Sequence, residues 1–138
     1  MTASRESSPP SQGKILFAED NVAAQKPIIS YLERAGFSVT TVGNGAEVLK
    51  RLAAEHFDLL LLDCNMPVLD GFRTAEAIRR KEVETKAPRV PIIAVTALTL
   101  PGMAQECLEA GMDAYVAKPV GFRELKAAMD GLLLKRSA

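Results

Sequence analysis

An open, doubly wound α/β domain with a parallel sheet is the fold class this sequence predicts, and three observations carry the prediction. Short apolar runs recur along the chain, at Ile15–Ala18, Val39–Val42, Leu59–Leu62, Ile92–Val95 and Ala114–Ala117. Stretches with helical spacing separate them. Gly36 and Gly111 each stand between a helical pattern and the next run, where a glycine ends a helix. Short runs of β-branched or bulky apolar residues suit strands buried on both faces. Strand-then-helix repetition forces parallel strands, right-handed crossovers and helices on both sides of the sheet. The five units between about Lys14 and Lys135 suit an open sheet, because a barrel requires eight.

Taken in order, residues 1–13 (MTASRESSPPSQG) have no periodicity and read as a flexible Ser/Pro-rich leader or linker, with the domain at 14–138. The first strand is followed by a helical face of Ile28, Ile29 and Leu32. Pro27 falls inside that stretch, so the helix either begins later or is kinked there. After the second strand, Gly43-Asn44-Gly45 superficially opens a dinucleotide fingerprint. Position 48 is Val, however, and the motif follows the wrong strand, so it reads as a turn. Val48, Leu49 and Leu52 form the next helical face, and His56 near its end reads as a cap or surface residue. Beyond the third and fourth strands, Ala104, Cys107 and Leu108 share a face. The last helix is the cleanest, with Phe122, Leu125, Met129, Leu132 and Leu133 on one side.

Composition narrows the function. The chain has 138 residues, 48% of them hydrophobic and 25% charged, as expected for one globular domain with a core. Seventeen basic and 17 acidic residues cancel, which argues against a general electrostatic grip on nucleic acid or anionic lipid. No apolar run exceeds that of Leu59–Leu62, too short to cross a bilayer, and no secretory signal is visible. Two cysteines, Cys64 and Cys107, give no disulfide framework, and one histidine gives no multi-histidine metal site. These features predict a cytoplasmic protein. Cys64, with no cysteine or basic residue beside it in sequence, reads as a small buried or half-buried residue, and Met66 and Met103 read as packing residues.

In doubly wound sheets the ligand site lies beyond the carboxyl ends of the strands. The first strand runs into Glu19-Asp20-Asn21, the third into Asp63, the fourth into Thr96 and the fifth into Lys118-Pro119. Three carboxylates, a hydroxyl and an ammonium thus converge on one edge. Carboxylates packed together repel unless a cation sits among them. Oxygen ligands in an incomplete cage suit Mg²⁺. Lys118 can neutralise an incoming anion and Thr96 can donate to it, so the group has what phosphoryl transfer to a carboxylate requires.

Residues 14–135 resemble the receiver domain of two-component response regulators and hybrid sensor histidine kinases, through ILFAEDN (15–21), LLLLDCNMPVLDGF (59–72), PIIAVTA (91–97) and DAYVAKPV (113–120). The resemblance implies a flavodoxin-like (βα)5 fold with a five-stranded parallel sheet of order 2-1-3-4-5. It also implies residue roles. Asp63 would be the phosphoacceptor. Glu19 and Asp20 would hold Mg²⁺ together with Asp63 and the backbone carbonyl of Asn65. Thr96 would bind the phosphoryl group, Lys118 would pair with Asp63 and then with the phosphoryl oxygens, and Tyr115 would be the aromatic switch. Pro119 would form a cis peptide, and Pro67 and Gly71 would shape the adjoining wall. Glu19 stands where many members carry Asp, while Asn65 and Leu98 stand where the family tunes dephosphorylation.

The implied function is a phosphoacceptor switch charged by a histidine kinase or histidine phosphotransfer protein, catalysing only its own phosphorylation and dephosphorylation. With the sequence ending near Ala138, no output domain is expected within it. The chain is therefore expected to act on a downstream protein target, or to be one domain of a longer protein, and its wording is closer to hybrid kinases than to DNA-binding regulators. The alternative is a receiver-like interaction module that works without phosphorylation, but such a module has no need of all five site residues. A haloacid-dehalogenase-type phosphatase would want an acid where Asn65 stands. A flavodoxin would want a phosphate loop where Glu19 and Asp20 stand.

Overall fold

A computed structural model describes residues 13–97 and 101–137. The leader up to residue 12, and Leu98 with its expected tuning role, lie outside the described residues. Five strands alternate with five helices: β1 (Gly13–Ala18), α1 (Val22–Arg34), β2 (Phe37–Val42), α2 (Gly45–Ala54), β3 (Leu59–Asp63), α3 (Gly71–Thr85), β4 (Ile92–Thr96), α4 (Met103–Glu109), β5 (Ala114–Ala117) and α5 (Phe122–Ser137). All neighbouring strands pair in parallel in the order β2-β1-β3-β4-β5, as expected. Gly13, assigned to the leader from sequence, is instead the first residue of β1, opposite Phe37.

Strand alternation divides the core into two layers. Leu16, Ala18, Leu60, Leu62, Ile92 and Ala94 face Val48 of α2, Ala75 and Ile78 of α3, and Met103, Cys107 and Ala110 along α4. Ile15, Phe17, Leu59, Leu61, Ile93 and Val116 face Ile28 and Leu32 of α1 and Leu125 and Met129 of α5. Every residue of β3 and of β4 is buried, which explains why neither run alternates in polarity.

Three local details refine the sequence reading. α1 starts at Val22, before Pro27, and runs through it. The proline lies on the exposed side, so the Ala23 carbonyl that lacks its helical donor faces water. α4 buries Met103 and Cys107, with Ala110 at its C-cap. The expected face of Ala104, Cys107 and Leu108 is therefore rotated, leaving Ala104 and Leu108 exposed. The reason is the helix start at Met103, whose i, i+4, i+7 stripe lies on the sheet. Phe122 does not enter the core; it stacks on Tyr31 with ring centroids 4.5 Å apart, joining α5 to α1. Gly36 and Gly111 end their helices at φ 100° and 104°, as expected. Among the described residues no helix is long and apolar enough to cross a membrane.

Candidate functional site

The register brings the acidic residues together. Ala18 pairs with Leu62, so the next residues, Glu19 and Asp63, stand side by side at the carboxyl edge. Continuing each strand's alternation, Glu19, Asp63 and Lys118 point toward the layer of α1 and α5, while Cys64 points toward α4. Ladder bonds run one residue past the strands, from Glu19 N–H to the Val42 carbonyl at 3.0 Å and from Lys118 N–H to the Thr96 carbonyl at 2.8 Å. The end of each strand is thereby held in place.

Carboxylate oxygens of Glu19, Asp20 and Asp63 lie within 4.8 Å of one another. Glu19 and Asp63 are each only 2% exposed, whereas Asp20 is open to solvent. Lys118 reaches in from the far edge strand. Its Nζ lies 3.0 Å from Glu19 Oε1 and 3.1 Å from Asp63 Oδ2. Asn65 N–H donates to Asp63 Oδ1 at 3.0 Å, and Asn21 N–H donates to Glu19 Oε2 at 3.1 Å. The Lys118–Pro119 peptide is cis.

These neighbours set the charges. Burial pushes the Glu19 carboxyl above its ordinary range, and nearby Asp63 adds to that. The bonds from Lys118 and Asn21 pull it back only in part. Burial would lower Lys118, but its bonds to Glu19 and Asp63 outweigh this and hold the ammonium above its ordinary value. The lysine with two anionic partners is thus stabilised in its charged form, while the more deeply buried Glu19 is not. An acid-rich cleft of this kind fits a hard divalent cation: three carboxylate oxygens of one cluster supply the donors, and among the described residues the Lys118 ammonium leaves the charge only partly compensated.

Thr96, at the end of β4, is buried opposite Ala117. Tyr115 is 40% exposed on β5, with its ring outside the core. Gly71 opens α3 directly beneath the acid: a Cβ there would meet the Asp63 carbonyl and Cys64 Cα, both at 2.7 Å. Its N–H donates to the Cys64 carbonyl at 3.1 Å, tying the helix to the strand end. Pro67 leads a tight turn in which Leu69 N–H returns to the Pro67 carbonyl at 2.7 Å over Val68, which has φ 70° and is 80% exposed.

All the residues singled out at strand ends therefore lie at one edge, and Tyr115 stands on the adjoining strand. Others do not join them. His56 follows α2 and contacts Asp58 at 3.2 Å, in keeping with its surface reading. Asn44 caps α2 by accepting from Glu47 N–H at 2.9 Å, which confirms the turn. Met66 and Met103 are buried. Cys64 is buried as expected but is not isolated, because it meets Cys107 of α4. Burial, aided by that neighbour and by Asp63, pushes its thiol up to about 12. Sequence reasoning also missed Gln25 of α1, whose Nε2 donates to the Glu19 carbonyl at 2.6 Å.

Comparison with known proteins agrees with this geometry. Residues 15–130 match the model of the response regulator receiver domain. The peroxide stress-activated histidine kinase mak1 of Schizosaccharomyces pombe is 40% identical over 122 residues, which is 86% of this chain and 7% of that kinase. The chain spans between 5% and 16% of the length of eight curated histidine kinases that it matches. Among solved structures, the co-crystal of the Saccharomyces cerevisiae histidine phosphotransfer protein Ypd1 with the receiver domain of Ssk1 matches with a TM-score of 0.85. Identity there is 26%, covering 91% of each chain. The receiver domain of the sensor histidine kinase PA1611 from Pseudomonas aeruginosa, with magnesium coordinated in its active-site cleft, matches with a TM-score of 0.79. It is 37% identical and covers 89% of this chain and 98% of that one. With the fold, the strand-end acids and these likenesses in agreement, the chain belongs to the response regulator receiver domain family.

Proposed function

We propose that the domain is a phosphoacceptor switch in a two-component phosphorelay, with Asp63 as the acceptor. The observation that carries this reading is the setting of Asp63. It is a buried carboxylate with Lys118 Nζ at 3.1 Å on one oxygen, Asn65 N–H at 3.0 Å on the other, and two further acids beside it. An Asp63 oxygen attacks phosphorus of a phosphohistidine donor, the P–N bond to the imidazole breaks, and an acyl phosphate forms. Glu19, Asp20, Asp63 and the Asn65 carbonyl would hold Mg²⁺, which when bound supplies charge neutralisation at the phosphoryl oxygens. Lys118 exchanges its bond to Asp63 for one to a phosphoryl oxygen, and Thr96 donates its hydroxyl to another. Tyr115, exposed before phosphorylation, turns inward as Thr96 moves.

The modified surface at α4, β5 and α5 then favours a different partner, as a shift between two populated states. The donor is a histidine kinase or a histidine phosphotransfer protein, in the cytoplasm. The Ssk1–Ypd1 likeness supports the second kind of donor, and the histidine kinases among the relatives support a place within hybrid kinase signalling. Val22 and Val68, 62% and 80% exposed, give the cleft an apolar rim on which such a donor can seat.

The test is intact-mass spectrometry after incubation with a small phosphodonor and then with a phosphohistidine protein, with and without Mg²⁺. Wild type should gain one phosphoryl group only when Mg²⁺ is present, and Asp63→Asn should gain none. Addition to the Asp63→Asn variant, or no addition from either donor to wild type, would overturn the assignment.

A further inference from the structure

The loop between β1 and α1 must hold two adjacent acids, Glu19 and Asp20, beside a third. Their mutual repulsion opposes the placement of the exposed one, Asp20, whose carboxylate nonetheless has an oxygen within 4.8 Å of those of Glu19 and Asp63. Glu19 is anchored at each of its polar groups. Its N–H reaches the Val42 carbonyl at 3.0 Å, Oε1 receives Lys118 at 3.0 Å, Oε2 receives Asn21 N–H at 3.1 Å, and its carbonyl receives Gln25 Nε2 at 2.6 Å. The last bond differs in kind, because it acts on the peptide unit joining Glu19 to Asp20. That unit is planar, so a donor that pins its carbonyl oxygen also sets the direction in which the chain enters Asp20 Cα.

Gln25 is well placed to do this. Its backbone is part of α1, where its N–H donates to the Asn21 carbonyl at 3.1 Å. Asn21 Oδ1 caps the same helix by accepting from Ala23 N–H at 2.9 Å. The side chain therefore projects from a rigid support back over the loop.

We propose that Gln25 is a positioning residue for the divalent cation: it holds the Glu19–Asp20 peptide so that Asp20 faces the cluster before the ion arrives. The inference rests on the metal-dependent reading above. Groups that orient metal ligands without touching the metal typically change affinity by about 10- to 100-fold when removed. One hydrogen bond to a ligand's backbone belongs at the lower end, about tenfold.

The test uses the full chain and two substitutions. Gln25→Met keeps length and volume but removes the donor, and Gln25→Glu keeps shape while replacing the donor by an acceptor. Free Mn²⁺ is followed by electron paramagnetic resonance and Mg²⁺ by competition. Melting temperature in EDTA and phosphorylation rate against Mg²⁺ concentration are measured alongside. Both variants should bind about tenfold more weakly and need correspondingly more Mg²⁺ for half-maximal rate. Their melting in EDTA and their rate at saturating Mg²⁺ should stay close to wild type. Affinity unchanged in Gln25→Met would overturn the inference. So would loss of melting temperature and saturated rate together, which marks a merely structural residue. Wild type that binds neither ion would instead remove the metal-dependent reading, and the inference with it.

Discussion

Replacing Lys118 with Met removes the ammonium that bridges Glu19 and Asp63 while keeping most of the side chain's length. Its two contacts, at 3.0 and 3.1 Å, are each worth about 5 kcal/mol of direct attraction at an effective dielectric constant near 20. Much of that is spent on desolvation, and truncating one partner of a buried pair costs about 3–5 kcal/mol. Lys118 is itself 29% exposed, and Glu19 can respond by taking up a proton, so the lower figure, about 3 kcal/mol, is expected here. For a domain of this size that is a fall in melting temperature of about 10 °C. The assay is thermal unfolding in EDTA and again with saturating Mg²⁺. The divalent ion restores positive charge among the same carboxylates, so it should recover at least about half of the deficit and stabilise the variant more than wild type. A melting temperature in EDTA within about 2 °C of wild type would refute the reasoning, as would a deficit unchanged by Mg²⁺.

Three further expectations follow from the same physics. Burial raises the folded Glu19 carboxyl above its ordinary 4.5, so the native state binds more protons than the unfolded chain just above that value, and stability falls as pH rises through the window. Glu19→Gln should therefore raise the metal-free melting temperature near neutral pH, with the difference shrinking as the solution is acidified below 4.5; a variant less stable than wild type at neutral pH would contradict this. Arg79, at the opposite end of the sheet, donates to the Gly111 and Val90 carbonyls and pairs with Glu82 and Asp113, at distances of 2.8 to 3.0 Å. Arg79→Met should cost about 3–5 kcal/mol in denaturant melts yet leave Mg²⁺ affinity unchanged, and a shift in affinity would show the two ends to be coupled. With its thiol near 12, Cys64 has about one thiolate in ten thousand at pH 8, so iodoacetamide should label it about a thousand times more slowly than a free cysteine until urea is added; rapid labelling of the native protein would contradict its buried setting.

Much of the molecule was legible in the sequence because its signals are local. A buried parallel strand declares itself as an uninterrupted apolar run, as in Leu59–Leu62, and a helix end as a glycine, as at Gly36 and Gly111. Once strands alternate with helices, parallel pairing follows, and every strand's carboxyl end falls on one edge. Glu19, Asp20, Asp63, Thr96 and Lys118 could therefore be grouped before any distance was known. The α4 face was misread for the opposite reason. In seven residues, the periodicity is too brief to distinguish a stripe through Ala104 and Leu108 from one through Met103 and Cys107, and only contact with the sheet selects between them.

What tertiary structure alone decided are the contacts that depend on register and side-chain reach. Lys118 is shared between Glu19 and Asp63 because β5 lies two strands from β3 and its ladder bond to Thr96 sets where the lysine starts. Cys64 meets Cys107, 43 positions away in the numbering, because one more step of β3's alternation points it at α4. Gln25 reaches the Glu19 carbonyl only because α1, capped by Asn21, begins at Val22 and turns its side chain back over the loop. Periodicity is a property of each segment and can be read along the chain, whereas these pairings are properties of how segments are stacked, and stacking is settled by the packing of the whole core.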